Sequence, residues 1–265
     1  MIGLGLGITQ QRRRRGAAFD PDALAYITAV ETADGEALEE GVKAAINDFV
    51  VGCKADAIWD ALKATCILAG ARTLNGCLVP LKGAAPTNLN FVSGDYNRKT
   101  GLKGDGSTKY LDSNRNNNAD PRDNNHNAVW VSTAPTIAER NLIGLGGSTR
   151  GANTLQVREI DGSQYGSRNR NNGINKVSRT AGDIFFVGAS RSNNSSYTHR
   201  FRGTSSVSER SSEGPLAGNV EVFKTTGVNH TDARLSFYSI GESIDLAALD
   251  ARVSTLMTAL DGAIA

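Results

Sequence analysis

The chain has 265 residues, with 29 basic against 27 acidic side chains, 6% aromatics and 29 glycines. That length can bury a substantial core, and a glycine-rich, aromatic-poor composition argues against a helical bundle and for turn-rich β structure. Four of the basic residues form the run Arg12–Arg15, and the other 25 face 27 acids, so the body has no nucleic-acid-binding excess of charge.

In chain order, Met1–Ala18 reads as an arm. Ile2, Leu4, Leu6 and Ile8 alternate with Gly3, Gly5 and Gly7, so an extended chain is apolar on one face and bare on the other. Such a strand has no core of its own and is suited to adding to the edge of another sheet. Arg12, Arg13, Arg14 and Arg15 follow, suited to an acidic partner surface or to nucleic acid, with a solvated charge run as the alternative. The apolar piece precedes the arginines, the reverse of a secretion signal, and none is expected. No apolar run approaches the roughly 20 residues of a membrane span, and no membrane partner is expected.

Residues 19–71 read as helical. Asp20 is placed to cap a helix with Pro21 at its first position, and Leu24, Ile27 and Val30 follow at helical spacing. A second helix carries Leu38, Val42, Ile46, Phe49 and Val50. The spacing predicts a third from Asp56, with Ile58, Trp59, Leu62 and Cys66 inward and Gly70 as its stop. Cys53, Cys66 and Cys77 have neither a CxxC pair nor an adjacent histidine, so they read as buried thiols of a protein made in a reducing cytoplasm, with no metal.

From Arg72 onward the period becomes that of strands. These are predicted at Leu74–Pro80, Asn88–Val92, Gly101–Lys103, Lys109–Asp112, Ala128–Thr133 and Asn141–Leu145. Others follow at Thr154–Ile160, Ile174–Ser178, Ile184–Gly188, Thr198–Phe201, Val220–Lys224 and Arg234–Ile240. Asp105-Gly106 predicts a tight hairpin turn between the strands on either side of it. Many short strands with polar turns imply two antiparallel sheets packed face to face. A final helix starts near Ser243 or Asp245, with Leu246, Leu249, Val253, Leu256 and Leu260 as an apolar seam that packs on the sandwich or, as the alternative, on a second copy of the helix.

Three stretches carry a resemblance. Thr100–Ser113 (TGLKGDGSTKYLDS) is similar to the early hairpin of concanavalin A-like (laminin G-like) jelly rolls, and Leu235–Leu249 (LSFYSIGESIDLAAL) resembles their closing strand and following helix. With Asn47–Leu62 (NDFVVGCKADAIWDAL) ahead of the sandwich, the pattern from about Phe19 to the C-terminus resembles virion structural proteins of tailed bacteriophages. The resemblance implies a mainly β, concanavalin A-like sandwich with an N-terminal helical section and a C-terminal helix. It also implies a protein of the virion, made in the host cytoplasm. The expected role is a non-enzymatic tail fibre or baseplate component, held to other virion proteins by its arm and forming a homo-oligomer, with a trimer favoured. The alternatives are a capsid decoration or head fibre protein, or a polysaccharide-binding or polysaccharide-cleaving module.

Glu159-Ile160-Asp161 resembles the first half of the E-x-D-x-x-E pattern of sandwich glucanases, but Gly162, Ser163 and Gln164 follow and the third acid is missing. His126, His199 and His230 are far apart, and no Ser stands in a G-x-S-x-G elbow. Gly144–Gly147 lacks the Lys of a phosphate loop, and Asp120, Asp123 and Asn124 match no defined calcium loop. No catalytic residue, cofactor or metal is expected. Two Asn/Arg-rich stretches, Asn114–Asn127 and Ser163–Asn175, read as exposed loops forming a recognition end. Within them Tyr165, Arg168, Asn169, Arg170, Asn116 and Asn117 are the candidate contacts to a host-surface glycan or a neighbouring subunit.

Overall fold

The computed structural model describes residues 18–136, 140–147, 149–158, 164–178, 185–225 and 229–265. Helix α1 (Pro21–Asp34) begins where its cap predicts: the Asp20 carboxylate accepts from the Asp22 N–H at 3.0 Å, and Gly35, at φ 70°, ends it. Ile27 and Val30 are buried as expected, whereas Leu24 faces solvent and Tyr26 fills its place. Helix α2 (Glu40–Ala55) buries Val42, Ile46, Phe49 and Val50 along one stripe.

The predicted third helix is a strand. Helix α2 stops at Ala55, a turn follows, and β1 (Leu62–Ile67) pairs antiparallel with the last strand of the chain. Ile58, Trp59, Leu62 and Cys66 are all buried, so the inward set was correct and its period was not. A short apolar run is ambiguous between the two periods, and here an open sheet edge takes it. Trp59 is a packing residue, with the Lys82 ammonium 4.1 Å from its ring centroid. The strand predicted at Leu74–Pro80 is instead the single-turn helix α3 (Leu74–Cys77), capped by the Thr73 hydroxyl.

Next come β2 (Thr87–Leu89), β3 (Tyr96–Asn97), β4 (Gly101–Lys103), β5 (Tyr110–Asn116), β6 (Asn125–Thr133), β7 (Asn141–Leu145) and β8 (Asn153–Arg158). They are followed by β9 (Gln164–Asn169), β10 (Asn175–Ser178), β11 (Phe185–Arg191), β12 (Tyr197–Phe201), β13 (Thr204–Ser208), β14 (Asn219–Val222) and β15 (Arg234–Gly241). One sheet runs β13-β12-β11-β6-β15-β4-β3, with β1 also on β15; the other runs β10-β9-β8-β7-β14-β5-β2. All pairs are antiparallel, and the two sheets form the jelly-roll sandwich expected. Strands β3, β9 and β13 lie outside the stretches that the sequence pattern predicts as strands.

Asp105-Gly106 does make a tight turn: the Asp105 carboxylate accepts from the N–H groups of Ser107, Thr108 and Lys109, and Gly106 sits at φ 74°. The turn is not a hairpin, however. Strand β4 pairs with β15 and β3, whereas β5 pairs with β14 and β2, so the turn carries the chain from one sheet to the other. Strand β4 meets β15 only through Lys103↔Arg234 and Leu102↔Leu235, which leaves the rest of that edge to β1. Gly101 allows this close approach: at φ 88°, a Cβ there would overlap the Leu235 carbonyl oxygen. Gly101→Ala is expected to destabilise by about 2–3 kcal/mol, read as a shifted urea midpoint at unchanged slope.

Helix α4 (Leu246–Ala263) is capped by Asp245, which accepts from Ala247 and Ala248 N–H. Its face Leu246, Leu249, Val253, Leu256 and Leu260 is buried on the molecule itself, against α2 and the outer face of the first sheet. Each of those side chains contributes about 1.5–3 kcal/mol before ordering costs. Phe49 of α2 meets Phe237 of β15 edge-on at 5.8 Å, and Asp250 of α4 binds Arg200 of β12 at 2.8 Å. Cys53, Cys66 and Cys77 are buried and unbridged; burial pushes the Cys53 and Cys66 thiols up to about 12, which leaves them unreactive. No helix among the described residues is long and apolar enough to cross a membrane.

Candidate functional site

The residues nominated for glycan contact do not form an exposed end. Tyr165 is fully buried between the sheets, with Phe185 and Phe201 each 4.7 Å from its ring centroid. Arg168 is buried on the other side of β9, its Nη1 donating to Gln156 Oε1 at 3.0 Å. Asn169 and Arg170 are buried as well, and burial pushes the Arg170 guanidinium down to about 10. Asn117 is buried with its amide donating to the Leu216 carbonyl at 2.9 Å, and half-buried Asn116 accepts from Asn118 and Gly218 N–H. The two stretches contain the end of β5, the start of β6 and all of β9 within their bounds.

Their polarity serves the interior. Arg191, at the end of β11 and wholly buried, donates to the carbonyl oxygens of Asn169, Asn193, Ser196 and Arg210. Arg115 pairs with the buried Asp120 carboxylate at 2.5 Å, so that carboxylate has a partner other than a metal. Asp123 accepts from the Ser212 hydroxyl. Guanidinium groups and amides thus close one end of the sandwich by taking up backbone carbonyls that the turns leave open. No sequence signal marks this, since a polar turn and a polar plug have the same composition.

The residues Ile2, Leu4, Leu6, Ile8 and Arg12–Arg15 lie outside the described residues, as do Glu159 and Asp161. Among the described residues no group of three His, Cys, Asp or Glu side chains converges.

What the fold does expose is one long side of the sandwich. Strands β10 and β13 are the terminal strands of the two sheets. Between them opens a cavity of about 390 Å³, lined by Val177, His199, Phe201, Arg202, Thr204 and Ser206. Its inner wall joins the cluster of Phe201, Phe185 and Tyr165, with Phe185 and Phe201 centroids 5.1 Å apart. Strand β13 pairs with β12 alone among the described residues, so half of its backbone donors and acceptors point away from the molecule. Thr204, Ser205, Ser206 and Val207 are all exposed, and Val207 reaches 61%. Edge strands are ordinarily blunted by a charge, a proline or a bulge, and β13 (TSSVS) has neither charge nor proline and a regular register to β12.

At the back of the opening stands His199, 1% exposed, and neither ring nitrogen has a hydrogen-bond partner among the described residues. Desolvation pushes it down to about 4, so at neutral pH it is an uncharged imidazole with one donor and one acceptor. An apolar inner wall at Val177 and Phe201, the neutral His199, a rim of Arg202, Thr204 and Ser206, and a strand edge paired on one side only among the described residues suit a peptide segment or a small ring. The predicted strand Thr198–Phe201 already put His199 and Phe201 on one face by alternation; what it lacked was the partner strand β13.

No protein-family model and no curated protein sequence matches the chain. Solved structures do. The Ruminococcus gnavus IT-sialidase CBM40 matches at 11% identity and TM-score 0.41, over 56% of this chain and 96% of its own. The botulinum neurotoxin serotype D binding domain matches at 11% identity and TM-score 0.49, over 74% of this chain and 51% of its own. A mutant Trypanosoma rangeli sialidase displaying trans-sialidase activity matches at 10% identity and TM-score 0.47, over 82% of this chain and 39% of its own. This chain therefore spans about half the length of the toxin chain it resembles and less of the sialidase.

Proposed function

We propose that this chain is a non-enzymatic structural protein of a tailed-bacteriophage virion, a fibre or baseplate component of the tail. In this reading the open β10–β13 side of its sandwich makes its contacts with neighbouring subunits. The phage setting is carried by the sequence resemblance of Thr100–Ser113, Leu235–Leu249 and Asn47–Leu62. The contact role is carried by one observation: among the described residues the uncharged edge strand β13 is paired on one side only, beside an opening with Val177 and Phe201 in its wall, while α4 covers the outer face of the same sheet at β11 and β12. Such an edge is a liability unless something covers it. A homo-oligomer, a trimer in this reading, would cover it in the assembled particle.

The absence of enzymatic activity is part of the proposal, supported by the missing third acid after Glu159 and Asp161. Incubating purified protein with host surface polysaccharide tests that part, since turnover would favour the polysaccharide-cleaving alternative. A glycan-binding role would use the opening at His199, because Tyr165, Arg168, Asn169, Arg170 and Asn117 are buried and Asn116 is half-buried.

Val207→Lys tests the contact role. Val207 is exposed, so the folded monomer should keep its melting temperature within about 1 °C. The added charge on the edge should weaken self-association or particle incorporation at least about tenfold, seen by analytical ultracentrifugation. Unchanged association would remove this edge from the contact.

A further inference from the structure

We infer that the strand covering β13 is the Ile2–Ile8 segment of a second copy of this chain, so that the copies are linked arm to edge. The inference rests on the contact role proposed above and names the occupant. Three observations meet. First, the sequence of the arm alternates Ile2, Leu4, Leu6 and Ile8 with Gly3, Gly5 and Gly7. Second, Thr204 and Ser206 line the opening while Ser205, between them, turns to the helix side, where Arg200 donates to its hydroxyl. A strand added alongside would follow the same period, placing Leu4 and Leu6 over the opening formed with Val177 and Phe201. Its glycines would face the side where Arg200 and Asp250 stand, and there a bare backbone has no side chain to clash.

Third, the arm starts on the wrong side of its own molecule. Asp20 is tied to Lys54 at 2.7 Å, and Lys54 lies over Trp59, in the turn that leads into β1. Strand β1 sits on β15, with β6, β11 and β12 between β15 and β13. That crossing is about 24 Å, before any detour over the α2–α4 layer, which is about 10 Å thick. The residues available to bridge it, Thr9–Ala18, span at most about 34 Å fully extended. An edge on a neighbouring copy needs no such detour. The contact is heterologous, arm to edge, and closes into a ring if the rotation allows.

Two full-length variants test it. Leu4→Asp/Leu6→Asp spoils the arm and leaves the edge intact; Val207→Lys spoils the edge and leaves the arm intact. Each alone should associate at least tenfold more weakly than the unmodified chain in sedimentation velocity, while keeping its melting temperature. Mixed in equal amounts, they should form a heterodimer and stop there, because only one good arm meets one good edge. As a direct probe, a copy with Leu4→Cys and a copy with Ser206→Cys should form an intermolecular disulfide under mild oxidation. If the edge variant loses association and the arm variant does not, the edge still makes contacts but the arm is not its occupant, and only this inference falls. If the arm variant alone loses association, the arm docks elsewhere. If Leu4→Cys and Ser206→Cys placed in one chain close a disulfide within a monomer, the arm covers its own edge. Either of these last two results overturns the inference.

Discussion

Arg191→Met is expected to lower the melting temperature by about 10 °C, the consequence of losing roughly 3–5 kcal/mol in a chain of this size. Arg191 is completely buried, and its guanidinium reaches Asn169 O at 2.8 Å, Ser196 O at 3.0 Å, Arg210 O at 3.0 Å and Asn193 O at 3.1 Å. It also stands 5.4 Å over the Tyr197 ring. Four backbone carbonyls from three separate stretches of chain, the end of β9, the β11–β12 turn and the segment after β13, thus share one side chain. Removing it leaves acceptors that burial keeps from water, at about 1–3 kcal/mol for each that cannot find a substitute. Methionine roughly preserves the volume, so the loss reports the hydrogen bonds rather than a cavity. Arg191→Lys retains the charge but not the planar fork, and should recover less than half of the loss. The change should also be visible locally: amides near Arg210, just beyond β13, should exchange faster, because the chain leaving the edge strand has lost its anchor. A melting temperature within about 3 °C of the unmodified protein would show that the carbonyls find other donors and that Arg191 does not hold this end of the sandwich.

Stability is also expected to fall steeply between pH 6.5 and pH 4.5, well above the range in which the paired carboxylates titrate. His126 and His199 are both buried, and desolvation pushes each from 6.5 down to about 4. The unfolded chain therefore takes up these two protons first. Their contribution is fully present above about pH 6.5, is lost as the pH falls through the window, and levels off below about pH 4. Each amounts to something on the order of 3 kcal/mol, and with both titrating the slope approaches about 2.7 kcal/mol per pH unit. The two differ in their surroundings. His126 Nδ1 faces the Glu242 carbonyl, so it carries the proton, while Nε2 accepts from the Ser239 hydroxyl at 2.8 Å. His199 has no such partners among the described residues, so His199→Leu should cost little at pH 7.5 and should flatten the acid slope by about half. Glu39, held down to about 2 by Arg98, loses its contribution only below the histidine window. Urea titrations at pH 7.5, 6.0 and 4.5 separate these effects. Constant stability across that range would mean that the imidazoles are hydrated or already charged in the folded protein.

Local chemistry wrote the helix starts and most strands into the sequence. Asp20-Pro21 and Asp245 cap α1 and α4 as read, because a cap is satisfied within three residues of itself. The stripe Leu246 to Leu260 and the alternation through β12 were legible for the same reason, since one buried face imposes its period on the chain, while β6, β11 and β15, buried on both faces, were legible as short apolar runs between polar loops. The sandwich follows from their number and spacing. Tertiary structure decided the rest. Leu62–Ile67 has an inward set that fits a helix, yet it is a strand because β4 covers only the first residues of β15 and leaves an edge to fill. The Asp105-Gly106 turn is what the sequence said, but whether its arms pair depends on strands far along the chain, and they draw β4 and β5 into different sheets. Tyr165, Arg168, Asn169 and Arg170 are polar enough for solvent and are nonetheless interior, because contacts distant in sequence enclose them: Phe185 and Phe201 pack on Tyr165, Gln156 accepts from Arg168, and the Asn169 carbonyl accepts from Arg191. The opening at His199 exists only where β10 and β13 end their sheets on the same side. Composition can set how polar a residue is; which groups surround it, and hence whether it faces water, is fixed by contacts distant in sequence.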